Sequence, residues 1–135
     1  MGYQSTVAYK IKFDDKERFN AFVVEAKLDP TTQRCFEKEN MEWNNFEVEE
    51  DLLEIRLLAE WVKWYDDYED VKCHMKLLDK AKTHNELSNE DNNGDVCWWI
   101  YRRIGENEED VETRYEGECD WDAVELSRSI IVDWA

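Results

Sequence analysis

Between Thr6 and Phe13 the side chains alternate, with Val7, Tyr9, Ile11 and Phe13 on one side and Ala8, Lys10 and Lys12 on the other. Successive side chains of extended backbone point to opposite faces, so this period of two predicts a half-buried strand. The period then changes. Asp14 or Asp15 offers a side-chain oxygen as a helix N-cap. Phe19, Phe22, Val23 and Ala26 follow at the i, i+3, i+4, i+7 spacing of an amphipathic helix that stops before Pro30. The chain therefore opens as strand then helix.

Residues 31–42 are polar and predict a loop with a helical turn. Phe46 and Val48 alternate with Glu47 and Glu49. Leu53, Ile55, Leu57, Ala59 and Trp61 alternate with Glu54, Arg56, Leu58 and Glu60, which predicts an antiparallel hairpin turning at Glu50 and Asp51. From Asp66 to about Lys82 a helix is expected: acids lead, Lys76, Lys80 and Lys82 close, as a helix dipole favours, and Val71, Met75, Leu78 and Ala81 form the stripe to be buried. Asn85 to Asp95 reads as a polar loop, and Val96 to Ile104, bulky on both faces, as an interior strand. Val111, Thr113 and Tyr115 alternate within an acidic run, and Leu126, Arg128, Ile130, Val132 and Trp134 predict one last strand.

The order strand, helix, strand, strand, helix, strand matches the ferredoxin-like βαββαβ arrangement. The expected fold is α+β: one acidic domain over residues 1–135, an antiparallel sheet with two helices on one face, and one or two C-terminal strands that extend the sheet or cover its other face. Seven Trp, six Tyr and five Phe among 135 residues supply enough apolar surface for a core.

Charge bounds the function. Thirty-four acids against 17 bases give a net charge of −17, which disfavours nucleic acid and anionic membranes as direct partners and favours basic protein surfaces. Cys35, Cys73, Cys97 and Cys119 lie 38, 24 and 22 residues apart, without the close pairs of a zinc or redox motif, and are expected to be free thiols. Met1 to Phe13 lacks the charged stretch and apolar run of a secretory signal, so the expected compartment is the cytoplasm.

Tests for catalytic or metal chemistry give no motif. Asn89, Asp91, Asn93, Gly94 and Asp95 approach the spacing of a calcium loop, but its first position would be Asn89 and its twelfth Ile100, where a bidentate Glu is needed. Cys73 and His74 are adjacent on a helix and point about 100° apart, so they are expected not to share a site. Arg102 and Arg103 beside Trp98, Trp99 and Tyr101 look superficially like an RNA-binding strand, yet ten acids follow within Glu106–Glu125. No catalytic residue, cofactor or metal ligand is assigned.

Met1 to Ala8 (MGYQSTVA), Val62-Lys63-Trp64-Tyr65 with Tyr68 and Asp70-Val71, and Arg103-Ile104-Gly105-Glu106 with Asp110-Val111-Glu112 resemble a family of small uncharacterised accessory proteins of tailed bacteriophages. The resemblance implies a protein made in the cytoplasm of an infected host bacterium. Joined to the charge, it leads to the expectation of a phage protein that binds and inhibits a basic host nucleic-acid-handling or defence protein, as a DNA mimic would. The candidate partner-binding residues are Glu106, Glu108, Glu109, Asp110, Glu112, Glu116, Glu118, Asp120 and Asp122, with a second acidic cluster at Glu37, Glu39, Glu42, Glu47, Glu49, Glu50 and Asp51. The alternatives are a small-ligand binder or enzyme using a cleft lined by Trp64, Trp98 and Trp99, and an inert accessory or virion-associated protein.

Overall fold

The computed structural model describes residues 3–37, 45–91, 94–107, 109–117, 119, 124–126 and 130–132. Its organising element is β1 (Ser5–Phe13), which pairs antiparallel with β3 (Glu54–Val62) on one side and β4 (Cys97–Gly105) on the other. β2 (Asn45–Glu49) flanks β3 and β5 (Val111–Glu116) flanks β4, giving one five-stranded antiparallel sheet in the order β2-β3-β1-β4-β5. With α1 (Lys16–Leu28) and α2 (Glu69–Glu90) the chain is α+β. No helix among the described residues is long and apolar enough to cross a membrane.

The expected registry between pattern and burial holds on the helix side of the sheet. Val7, Tyr9, Ile11 and Phe13 are fully buried and join one core with Phe19, Phe22 and Ala26 of α1 and Val71, Leu77, Leu78 and Ala81 of α2. Asp15 caps α1, its carboxylate accepting from Glu17 N at 2.9 Å, and Phe13 meets Phe22 and Phe19 with ring centroids 5.1 and 5.9 Å apart. Each such ring removes about 150–250 Å² from water, at roughly 25 cal/mol per Å². The 31–42 stretch contributes a short 3-10 helix, Thr32–Phe36, packed on both helices.

The opposite face departs from the half-buried expectation. Ala8 and Ile100 are fully buried there, Leu58 nearly so, and Lys10, Glu54 and Arg56 are each less than a tenth exposed. The cover is a hairpin of β6 (Val124–Leu126) and β7 (Ile130–Val132), a separate two-stranded sheet lying against β1 and β4. Among the described residues the tail adds three strands: β5 extends the sheet, while the run expected as one strand from Leu126 to Trp134 divides between β6 and β7, with Arg128 and Trp134 outside the described residues. Burying charge requires partners. Lys10 Nζ lies 3.3 Å from Glu54 Oε2, and Arg56 Nη2 lies 2.9 and 3.0 Å from Glu47 and Glu49.

Two further differences have local causes. Trp61, in phase with the buried positions of β3, is 62% exposed, because the register between β1 and β3 shifts between Ser5 and Val7. This bulge puts Trp61 at φ 53° and returns Val62 to the interior in its place. α2, expected to end near Lys82, continues to Glu90 because small polar residues extend its buried stripe. Asn85 Oδ1 accepts from Val96 N at 2.9 Å, its Nδ2 donates to Asp95 at 3.1 Å, and Ser88 Oγ donates to Gly94 O at 2.8 Å. Asn85 therefore satisfies a buried amide at the entry to β4.

Removing that side chain should leave the Val96 amide unsatisfied. Asn85→Ala is expected to lower stability by about 1–3 kcal/mol, read from the urea midpoint, whereas Asn89→Ala at the exposed helix end should change it by less than about 1 kcal/mol.

Candidate functional site

The acidic run begins where β4 leaves the sheet. At Gly105 a Cβ would come within 2.2 Å of both Asp110 Oδ2 and Tyr3 Oη, so any other residue there would push these two side chains aside. Gly105 N donates to Asp110 O at 2.8 Å, closing the connection between β4 and β5. Arg103 grips Asp110 with two nitrogens, at 2.7 and 3.1 Å, donates to Ser5 Oγ at 3.1 Å, and lies 3.4 Å from Glu112 Oε1. Tyr3 donates to Asp110 Oδ2 at 2.6 Å and accepts from Asn107 N at 3.1 Å. Arg114 holds the other Glu112 oxygen at 2.8 Å.

Electrostatics follow from these bonds. The Arg103 guanidinium, aided by the Tyr3 hydroxyl, draws the Asp110 carboxyl down to about 2. Burial works to raise Glu112, yet Arg114 and Arg103 together hold it below its ordinary value. Asp110 and Glu112 are thus internally neutralised and brace the connection instead of presenting charge. Glu116 is half-buried, 3.5 Å from Asn85 Nδ2. Glu106 and Glu109 are exposed, Glu106 also accepting from Gln4 N at 3.0 Å. Glu108, Glu118, Asp120 and Asp122 lie outside the described residues.

The second acidic cluster divides similarly. Glu47 and Glu49 serve Arg56, Glu37, Glu50 and Asp51 are exposed, and Glu39 and Glu42 lie outside the described residues. The near-calcium stretch braces the end of α2, with Asn89 Nδ2 donating to Asp95 Oδ1 at 2.8 Å.

Strand register shows what accompanies the run. Ser5 pairs with both Val62 and Gly105, so the end of β3 bearing Trp61 lies at the same end of the sheet as Glu106 and Glu109. Exposed Asp66 follows β3 and joins Tyr3, Trp64, Tyr65, Arg103, Asp110, Glu112 and Arg114 around a depression of about 320 Å³. Trp64 and Trp99 are buried on the helix side, while Trp98 packs against Ala8, Leu58 and Ile100 on the other. The three rings expected to line one cleft border three separate depressions.

A second constellation lies deep in the core. Cys35 of the 3-10 helix and Cys73 and His74 of α2 are fully buried, and their potential ligand atoms all lie within 4.8 Å of one another. Cys73 and His74, expected to point apart on the helix, thus come close at their side-chain ends: the 3-10 helix packs on α2, bringing Cys35 to Cys73, while β1 supplies Tyr9, whose Oη lies 2.6 Å from His74 Nδ1. Cys73 Sγ also donates to Asp70 O at 3.0 Å. Phe46 and Trp64 pack their rings on the imidazole at 5.4 and 6.0 Å, and His74 Nε2 is buried without a hydrogen-bond partner among the described residues. Burial pushes the imidazole down to about 3, so it is neutral, and burial raises the Cys35 thiol far above its ordinary value, reinforced by Cys73. None of the four cysteines is in a disulfide.

Asp110 gives a pH signature. A carboxyl whose folded value is depressed stabilises the fold above its unfolded value, and that stabilisation is lost as pH falls toward the folded value. Wild-type stability should therefore fall between pH 3.8 and about 2 more steeply than that of Asp110→Asn, followed by circular dichroism in urea. Parallel profiles would show that the Arg103 contact adds nothing. Compared with known proteins, the chain matches no family model, no curated protein and no solved structure.

Proposed function

We propose that this chain is a binding protein that occupies a basic, nucleic-acid-handling surface of a partner, and that it docks through the sheet end carrying Trp61, Asp66, Glu106 and Glu109. The observation that carries the reading is the combination of an exposed tryptophan with exposed acids, in a chain whose cations are largely engaged internally. Lys10, Lys12, Arg34, Arg56, Lys76, Lys80, Arg103 and Arg114 all lie in ion pairs, so the surplus charge falls on acids such as these. A large ring that fills a partner's pocket supplies binding energy, and surrounding charge steers encounter and excludes wrong partners. Rigidity supports register: the Tyr3–Asp110–Arg103 bonds fix the β4–β5 connection, so little ordering entropy is lost on binding.

The resemblance to phage accessory proteins is what favours a partner in an infected bacterium, with a defence or nucleic-acid-handling factor as the target that the acidic surface would inhibit. The scaffold fits the ferredoxin-like reading, as β1 separates β3 from β4 and β3 separates β1 from β2, each pair spanned by a helix. Such a scaffold hosts many functions, so the reading rests on the surface.

The test is competition with duplex DNA. Bacterial proteins retained on the immobilised chain at low salt should be released by added duplex and should be DNA-binding. Retained proteins indifferent to duplex would overturn the reading. Trp61→Ala should weaken binding at least about tenfold. Joint Glu106→Gln and Glu109→Gln substitution should slow association more than Glu50→Gln with Asp51→Asn at the opposite end of β3; equal effects would indicate net charge alone.

A further inference from the structure

We propose that Cys35, Cys73 and His74 bind one zinc ion in the core, with Tyr9 as the residue that positions the imidazole. Three side chains of the type zinc prefers converge from two separate parts of the chain, the 3-10 helix and α2, into a space otherwise walled by rings and aliphatic groups. Tetrahedral zinc holds sulfur at about 2.3 Å and nitrogen at about 2.0–2.1 Å, which sets the ligand atoms of one ion roughly 3.5–4 Å apart. The observed atoms, all within 4.8 Å of one another, need only small side-chain adjustments to reach that spacing.

Charge selects the ion. Two thiolates, a neutral imidazole and Zn²⁺ sum to zero, the condition for placing ions in a dry interior at low cost. A cuprous ion would leave one negative charge buried, and calcium or magnesium would require oxygen ligands that these residues lack. On binding, two thiol protons leave for solvent and two zinc–sulfur bonds form, with no change of oxidation state.

The imidazole supplies the second, independent observation. One ring nitrogen is held by Tyr9 at 2.6 Å, while Nε2 is buried with no partner among the described residues, so the ring has more bonding capacity than the surrounding protein uses. An outer-shell bond that fixes the ring is the usual companion of a metal-bound histidine. Because one ligand comes from Thr32–Phe36 and two from α2, the ion would fasten the 3-10 helix to the long helix.

Elemental analysis of protein purified under reducing conditions, and of protein unfolded, stripped and refolded with zinc, should give one zinc per chain, with two protons released per ion in unbuffered titration. Cobalt should substitute and show a thiolate-to-cobalt charge-transfer band. Cys35→Ser and Cys73→Ser should lose that band, Cys119→Ser should keep it, and Tyr9→Phe should weaken zinc about 10–100-fold. No uptake by either preparation, retention of zinc by the double serine variant, or a Cys35–Cys73 disulfide in the reduced preparation would each overturn the proposal. If the serine variants do not fold, the wild-type cobalt spectrum decides, since a spectrum of oxygen ligation alone would overturn it.

Discussion

Both faces of β1 are covered along nearly its whole length, and the other elements are arranged around that fact. On one face the ring of Tyr9 and its neighbours need two helices; on the other, Ala8 and Lys10 need a second cover, which the β6–β7 hairpin provides. A strand covered on both faces must also satisfy its backbone on both edges, and β3 and β4 do so through almost its whole length. The polar groups that enter with it are consequently paired. Lys10 meets Glu54 because the register sets Lys10 opposite Arg56, two residues from that carboxylate on the same face.

The same economy governs the charges. An excess of acids suggests a uniformly negative skin, but the structure sorts carboxylates by whether a guanidinium or ammonium has claimed them. Asp29 illustrates the claimed class: it accepts from Lys80, Thr31 N and Lys76, and these bonds hold its carboxyl far below the ordinary value. Asp110 belongs with it. Glu106 and Glu109, four and one residues earlier, remain exposed. Function carried by charge therefore depends on tertiary pairing, and neighbouring acids in one run take different roles.

The legible parts of the fold were those whose signal is local. β1, α1 and the β2–β3 hairpin each carry a period, β4 carries the bulk on both faces that marks an interior strand, and Asp15 is one of the two capping residues the sequence offers. Trp61 departs from the period of β3 because a one-residue bulge inverts the pattern there, which periodicity cannot anticipate. The last turns of α2 look like loop in the sequence because Asn85 and Ser88 are buried by bonds to Val96 and Gly94, partners that only the fold supplies. Cys35 and Cys73 stand 38 residues apart, and nothing local marks their meeting. The acidic run was visible as composition, while the bonds that divide it, from Arg103, Arg114 and Tyr3, were not.

β5 is an outer strand of the sheet, with one row of backbone donors and acceptors turned away from β4 and with Val111 and Tyr115 45% and 57% exposed. Such an edge invites pairing with another chain, and charged side chains along it are a common deterrent. Glu112, Arg114 and Glu116 occupy it, and the exposed Glu109 stands at its entrance. Of these acids only Glu109 belongs to the proposed docking surface, so on that reading one carboxylate would both attract a cationic partner and discourage a second copy from pairing at this edge. A partner seated on Glu109 would remove that charge from the entrance to β5, so recognition and the guarding of the open edge would meet at a single residue.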